Sequence, residues 1–265
     1  MIRFTDSHCH LAEPVWQNNL PSVLSEAEAA GVYRFLVPAT APHDWQQVAD
    51  LPERPSANQQ IRIAFGIHPW FAADISEQNW QSLETLLQQY PQAWVGEAGL
   101  DYLQQHKAAW AVQQQVFIRQ LELAQRLKRR IIVHNVKASA AVIAAVKAAN
   151  FTQGGIIHAF SGSLEEAESL IRYGFYIGIG SLLLNPTAKK VRQAAAKLPP
   201  ERIVLETDSP FMLKNAVNTP ANIRRIAAET AALRGISIEE LSRQTEKNIN
   251  LLFADGITPP ETPTS

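Results

Sequence analysis

The feature that most constrains the fold of this chain is the regular alternation of short apolar runs with longer helix-like segments. The eight apolar runs lie at 2–8, 32–40, 61–69, 93–101, 129–135, 154–162, 174–181 and 202–210. Most are apolar at consecutive positions, which is typical of strands that are buried on both faces of a parallel sheet. In the segment 113–130 between two runs, apolar residues recur at helical spacing.

Eight strand–helix units favour a single closed (β/α)8 TIM barrel over an open doubly wound sheet, because no GxGxxG motif follows an early strand. The length of 265 residues is one at which α/β barrels occur as a single domain. We therefore predict one barrel domain over 1–253 that ends in helices at 219–234 and 237–253. Residues 254–265 are rich in Pro and Thr and are predicted to be a disordered tail.

Charge and cysteine content exclude several classes of protein. The formal net charge is −1, so no bulk electrostatic field draws the chain to DNA or to a membrane surface. One cysteine, Cys9, excludes an internal disulfide framework. The first residues lack the apolar core of a signal peptide, and no run is long enough to span a bilayer. We expect a cytoplasmic protein with no membrane association and no obligate protein partner.

Histidines and acids stand at the predicted carboxyl ends of five strands. In TDSHCHL, Asp6, His8 and His10 share one face of the first strand because side chains two residues apart point the same way. The fourth, fifth, sixth and eighth runs are closed by Glu97, His134, His158 and Asp208. Barrel enzymes carry their chemistry at the carboxyl ends of strands, so these side chains are predicted to converge at one mouth.

Four imidazoles and two carboxylates buried in one place need a shared partner, because burial removes the water that would otherwise solvate them. Nitrogen and oxygen ligands favour ions such as Zn2+, Mn2+, Ni2+ or Fe2+, or Mg2+ if water fills the remaining positions. Six protein ligands exceed what one catalytic ion accepts while keeping an open position. They suit two ions about 3.5–4 Å apart with a bridging carboxylate.

The chain resembles the TatD family of metal-dependent hydrolases, and within it the YjjV-like branch, in its ordered motifs TDSHCHL, GIHPW, GEAGLDY, QQQVFIRQLELA, IVHNVKAS, IIHAFSGS and LETDSPFM. The resemblance runs from about residue 4 to residue 253. It implies a barrel of the amidohydrolase superfamily, two divalent metal ions (Mg2+, Mn2+ or Zn2+) and deoxyribonuclease activity. It also implies that Glu97 bridges the ions. The remaining ligands would be His8, His10 and Asp208 at one ion, and His134 and His158 at the other.

From these residues we predict a hydrolase that cleaves phosphodiester bonds with metal-activated water, with DNA or another phosphodiester as a transient partner. Asp208 is the best general base, because a carboxylate beside the attacking water can accept its proton. Glu97 is the second predicted catalytic residue.

Two departures from the family pattern keep an alternative open. Val136 stands where the family often has arginine, and the segment after the eighth strand, PFMLKNAVNTP, holds only Lys214. The alternative is a metal-dependent hydrolase of an amide, ester or lactone bond in a small molecule.

Several further residues are candidates for contacts around the site. His68 and Ser161 are predicted to bind substrate, Ser161 because the SGS segment opens a helix whose N–H groups attract phosphate. Asp101 is predicted to brace its loop. Asp6 is expected to orient a ligand by hydrogen bonding, and Glu206 to be a polar group deeper in the barrel. Surface positions are favoured for His43 and His106, while Trp70 and Phe71 fit either core packing or a wall for a base or sugar.

Overall fold

A computed structural model describes residues 2–53, 58–103 and 110–254. Within them, eight parallel strands pair in chain order from β1 to β8, which confirms the predicted barrel. The strands are β1 Phe4–Asp6, β2 Val32–Pro38, β3 Gln60–Phe65, β4 Trp94–Asp101, β5 Ile131–Val136, β6 Gly155–Ile157, β7 Phe175–Ile179 and β8 Ile203–Leu205. Backbone hydrogen bonds close the ring, because Ser7 donates to Leu205 and Asp208 donates to His8, each at 2.9 Å.

Helices follow the strands around the outside of the ring. In the described residues they are α1 Leu20–Ala29, α2 Trp45–Ala49, α3 Glu77–Gln89, α4 Trp110–Leu127, α5 Ser139–Ala148, α6 Leu164–Ile171, α7 Lys189–Lys197, α8 Ile223–Arg234 and α9 Ile238–Phe253. The helix predicted from residue 219 begins at Ile223, after a 3-10 turn over Pro220–Asn222. Apart from Ala254, the predicted disordered tail lies outside the described residues. None of the helices described here has both the length and the apolarity needed to cross a membrane.

The barrel interior is a layer of apolar side chains that one helix completes. Its strand members are Leu36, Ala64, Trp94, Ile132, Ile156, Tyr176 and Val204. From α9, Ile249, Leu252 and Phe253 join the same cluster, and the Phe253 ring packs edge-on against Trp94 at 5.8 Å. Because Trp94 is the first residue of β4, α9 closes the amino end of the barrel and leaves the carboxyl end as its mouth.

The alternation of side chains along the strands places polar groups above this layer. His134 and His158 lie two residues beyond the interior residues Ile132 and Ile156. Side chains two apart share a face, so both imidazoles point into the mouth. The predictions that Glu97 ends the fourth strand and His134 the fifth were wrong. β4 continues to Asp101 and β5 to Val136, and their pairing is irregular between Val95 and Ala98.

Candidate metal centre

Glu97 lies at the centre of the site, and its two carboxylate oxygens face different groups of histidines. Oε2 is 3.4 Å from Nε2 of His8 and 3.6 Å from Nε2 of His10. Oε1 is 2.8 Å from Nε2 of His158 and 2.9 Å from Nδ1 of His134. The carboxylate therefore stands between two pairs of imidazoles, one pair contributed by the segment after β1 and the other by β5 and β6.

Asp208 completes the group on the Oε2 side. Its Oδ1 is 3.2 Å from Nε2 of His10 and 3.6 Å from Nε2 of His8, and those two imidazole nitrogens are 3.1 Å apart. Its backbone N–H donates to the carbonyl of His8. All six residues predicted from the sequence are thus brought together; their division between two ions remains a prediction, since His158 also lies beside His8, with ring centroids 3.9 Å apart.

His68 joins the group on the Oε1 side. Its Nε2 is 3.4 Å from Oε1 of Glu97 and 3.3 Å from Nδ1 of His134. Its Nδ1 accepts a hydrogen bond from the backbone of Trp70. The sequence predicted that this histidine contacts substrate, and the structure places it within reach of Glu97 itself.

The side chains fit a divalent cation in chemistry and in arrangement. Three overlapping sets have ligand atoms within 4.8 Å of one another: His8, His158 and Asp208; His8, His10 and Glu97; and His68, Glu97 and His134. Imidazole nitrogens and carboxylate oxygens suit Zn2+, Mn2+ and similar ions. The nitrogens of His134 and His158 are 3.0 Å apart, and two lone pairs this close need a proton or a cation between them.

The pKa values of the histidines and carboxylates show how their charges are balanced within the protein. Burial would raise the pKa of Glu97, but the charges of the surrounding histidines hold it well below its ordinary value. Burial acts against protonation of His10 and His134, yet hydrogen bonds to Asp208 and Asp101, together with Glu97, raise the pKa of each histidine to about 9. Imidazolium charges therefore compensate the carboxylates when no cation is bound.

His8 behaves differently from its neighbours. Burial, with the nearby charge of His158, lowers the pKa of His8 to about 4. The His8 and His158 rings stack at 3.9 Å. A neutral imidazole is the form that binds metal, so His8 is ready for a cation without losing a proton.

Beneath the metal centre, two buried carboxylates accept hydrogen bonds from the backbone of the segments that carry the candidate ligands. Asp6 accepts hydrogen bonds from N–H (2.9 Å) and Oγ1 (2.6 Å) of Thr207 and from N–H of His8 (3.3 Å). It therefore orients His8 through the main chain rather than through the imidazole, while burial raises the pKa of Asp6 to about 7.

Glu206, which follows the neighbouring strand β8, plays a similar part towards the segment after β6. The backbone N–H of Ala159, next to His158, donates to its Oε1. A Cβ placed on Gly178 would lie 2.2 Å from its Oε2, so only glycine leaves room for this carboxylate. Glu206 is fully buried, as the sequence predicted for a polar group deep in the barrel, and burial raises its pKa well above the ordinary value.

Two glutamines of α4 support the site, and their role was not predicted from the sequence. Gln120 accepts a hydrogen bond from N–H of Ile67 (2.8 Å) and donates to its carbonyl (3.0 Å), directly before His68. Gln113 accepts from N–H of Asp101 at 2.9 Å. The two glutamines are seven residues apart and so share one helix face. This spacing within QQQVFIRQLELA was the available signal.

The rim of the mouth carries the other candidates. Asp101 braces its loop as predicted, since it accepts from N–H of Leu103 (3.0 Å) and Nε1 of Trp70 (2.8 Å), and it also lies 3.4 Å from Nε2 of His134. Trp70 is 55% exposed, which removes core packing as its role. Ser161 is exposed, two residues before the N-cap Ser163 of α6, and its contact with substrate remains a prediction.

The two remaining histidines are His43 and His106. His43 is exposed at the surface, as predicted, and its ring packs against Phe71 at 5.2 Å. His106 lies outside the described residues.

Comparisons with known proteins agree over nearly the whole chain. Residues 5–254 match the family described as TatD related DNase. The chain is 32% identical over 259 residues to the uncharacterized metal-dependent hydrolase YjjV of Escherichia coli (strain K12), a match that covers 96% of this chain and 98% of YjjV. It is 30% identical to the deoxyribonuclease TATDN3 of Homo sapiens, with 95% of each chain covered. A crystal structure of Escherichia coli YjjV matches with a TM-score of 0.88 at 30% identity and covers 96% of this chain and 99% of that one.

Proposed function

This chain belongs to the TatD-related DNase family of metal-dependent hydrolases, and we propose that it is a deoxyribonuclease that hydrolyses phosphodiester bonds at a binuclear centre. The name of its human relative, a deoxyribonuclease, supports the nuclease activity. The proposal takes DNA or another phosphodiester as a transient partner. A cytoplasmic setting is part of it, supported by a lone, buried, unpaired cysteine, Cys9.

The arrangement of Glu97 is the observation that carries this proposal. Each of its oxygens faces its own set of nitrogen donors, His8 and His10 on one side and His134 and His158 on the other. A carboxylate between two such sets favours two cations with Glu97 as the bridge. Bound divalent cations would activate a water molecule and neutralise the charge that develops on the phosphoryl group.

Asp208 is the group we assign to proton transfer. It is 8% exposed at the mouth. Burial acts to raise its pKa, but the hydrogen bond with His10 and the charges of His8, His158 and His10 together keep the pKa below the ordinary value. The carboxylate is therefore ionised at neutral pH and able to accept a proton from the attacking water. His68 and Ser161 are assigned to substrate, together with the exposed rings of Trp70 and Phe211.

Depth of the site limits the form of DNA that reaches it. The centre is formed by side chains that are almost entirely buried at the mouth of the barrel. The backbone of a regular duplex cannot descend to that level unless the nucleotides beside the phosphodiester leave the base stack. We therefore assign single strands or strand ends as the substrate.

One observation favours a second function, hydrolysis of an amide, ester or lactone bond in a small molecule. Val136 ends β5 two residues after His134, where an arginine would bind phosphate bidentately. An apolar side chain in this place weakens phosphate recognition and leaves the catalytic centre unchanged.

A substrate panel separates the two functions. Purified protein loaded with Mg2+, Mn2+ or Zn2+ is given single-stranded DNA, methyl 4-nitrophenyl phosphate, a carboxyl ester, a lactone and an amide. We expect turnover of the two phosphodiesters. Turnover of carboxyl substrates alone would refute the nuclease and support the second function.

A variant of Glu97 tests the bridging role. Glu97→Ala should lower turnover by at least about 100-fold, the upper end of the cost of losing even an outer partner of a metal site. The variant should remain folded, with unchanged far-ultraviolet circular dichroism. Glu77→Gln, which alters an exposed carboxylate on α3, is the matched control. A folded Glu97→Ala protein with full turnover would disprove the bridge.

A further inference from the structure

A cavity opens beside the metal centre, between the segments that follow β1 and β2. Its volume is about 440 Å³, and His10 forms part of its wall. This size falls within the roughly 300–1,000 Å³ of typical small-molecule sites. Nε2 of His10 is 3.2 Å from Oδ1 of Asp208. The group of a bound substrate that adjoins the scissile bond therefore lies next to this cavity.

The floor of the cavity is apolar and held in place by the fold. It is formed by Leu11, Trp16, Leu20, Pro38 and Leu51. Each of these side chains except Pro38 belongs to the main hydrophobic core. Nε1 of Trp16 donates to the carbonyl of His10 at 2.9 Å, which joins the floor to the metal centre. A fixed apolar floor suits the flat face of a ring.

The rim of the cavity carries acids. Asp44 uses its carboxylate to accept hydrogen bonds from the backbone and Oγ1 of Thr40, and so serves the local turn. Glu13 is half-buried and makes no capping bond to the 3-10 turn Pro14–Trp16 that follows it. None of the described residues that line the cavity is lysine or arginine. At this rim, away from His10, an uncharged group that donates hydrogen bonds is favoured over a phosphate.

We propose that this cavity binds the nucleobase next to the scissile phosphodiester, and that it prefers bases with an exocyclic amino group. The inference rests on the proposed nuclease function. The base lies with one face on the apolar floor, and its amino group donates to Glu13. Adenine and cytosine carry such donors and thymine does not. The neighbouring phosphates are directed away from the cavity because two carboxylates face it.

Binding of free nucleosides tests the cavity without reference to catalysis. Affinities for deoxyadenosine, thymidine and inorganic phosphate are measured by saturation-transfer NMR and titration. We expect deoxyadenosine to bind more tightly than thymidine. Gln17→Trp, which fills the cavity from an exposed lining position, should weaken deoxyadenosine binding at least about tenfold. Gln88→Trp, at an exposed position of α3, is the control and should change nothing.

The role of Glu13 as a hydrogen-bond acceptor is tested with variants that remove or reverse its charge. Glu13→Gln should reduce the preference for deoxyadenosine over thymidine, and Glu13→Lys should abolish it. If inorganic phosphate binds to wild type and displaces deoxyadenosine, the cavity is a phosphate site and the proposal fails. It also fails if deoxyadenosine does not bind, or binds equally to wild type and Gln17→Trp.

Kinetics separate a failure of this inference from a failure of the proposed function. Single-stranded DNA is compared with methyl 4-nitrophenyl phosphate, which carries a methyl group where DNA carries a nucleoside. We expect Gln17→Trp to raise KM for DNA relative to KM for the small diester by at least about tenfold. If wild type hydrolyses neither, the nuclease function is wrong. If it hydrolyses both and the ratio is unchanged, the base site is wrong and the nuclease stands.

Discussion

Replacement of Gln120 by methionine should be among the most damaging single changes outside the metal centre. Gln120 is fully buried in α4 and satisfies both polar groups of the Ile67 peptide, at 2.8 and 3.0 Å. Methionine has a similar length and no comparable hydrogen-bonding group. A buried donor or acceptor left without a partner costs about 1–3 kcal/mol. Leaving both groups without partners should therefore lower the free energy of unfolding by about 2–6 kcal/mol.

Thermal melting followed by circular dichroism measures this loss. For chains somewhat smaller than this one, about 1 kcal/mol corresponds to roughly 2–4 °C, so Gln120→Met should melt at least about 4 °C below wild type. Gln120→Glu should also melt below wild type, because an ionised carboxylate would be buried there and would face the carbonyl of Ile67 without a donor.

The control for this experiment is Gln88→Met, at an exposed position of α3. It should stay within about 0.5 kcal/mol of wild type, as surface changes do. If Gln120→Met melts within 1 °C of that control, the double hydrogen bond does not stabilise the barrel, and the argument from buried unsatisfied groups is refuted.

Three further predictions concern the centre and its support. Saturation with a divalent cation at about 100 times its Kd should stabilise the protein by about 2.7 kcal/mol, measured by melting with and without chelator; an unchanged melting temperature would contradict a built metal site. Cation affinity should rise from pH 6 towards pH 9 in chelator competition, because His10 and His134, with pKa values of about 9, hold protons that the cation must displace; a flat profile would contradict this. Gly178→Ala should lower stability by about 1–3 kcal/mol in urea unfolding through its overlap with Glu206, and a neutral effect would show that Glu206 can move.

The barrel and the convergence of its polar residues were predictable from the sequence, because both follow from local rules. Runs that are apolar on both faces predict parallel strands, and parallel strands bring their carboxyl ends to one rim. His134, His158 and Asp208 could be assigned to that rim from their position at the end of each run. The pairing of Glu97 with two separate sets of histidines then follows from the closure of the ring.

What could not be predicted depends on distances between elements that are far apart in sequence. The approach of His68 to Glu97, at 3.4 Å, depends on the stagger between β3 and β4 and on the irregular pairing of β4 with β5. The contact of Asp101 with His134 depends on the same register. The role of Gln120 depends on how α4 is rotated against the sheet, which periodicity limits to one face without naming the partner.

The closure of the amino end by α9 links the order of synthesis to the formation of the site. The side chains of Leu252 and Phe253 pack against the apolar layer formed by β2 to β8, and Arg130 donates hydrogen bonds to the carbonyls of Leu251 and Leu252. A growing chain that ends just after Asp208 contains every predicted ligand but lacks the helix that closes the amino end of the barrel. We therefore expect the site to reach its final geometry only after α9 has docked.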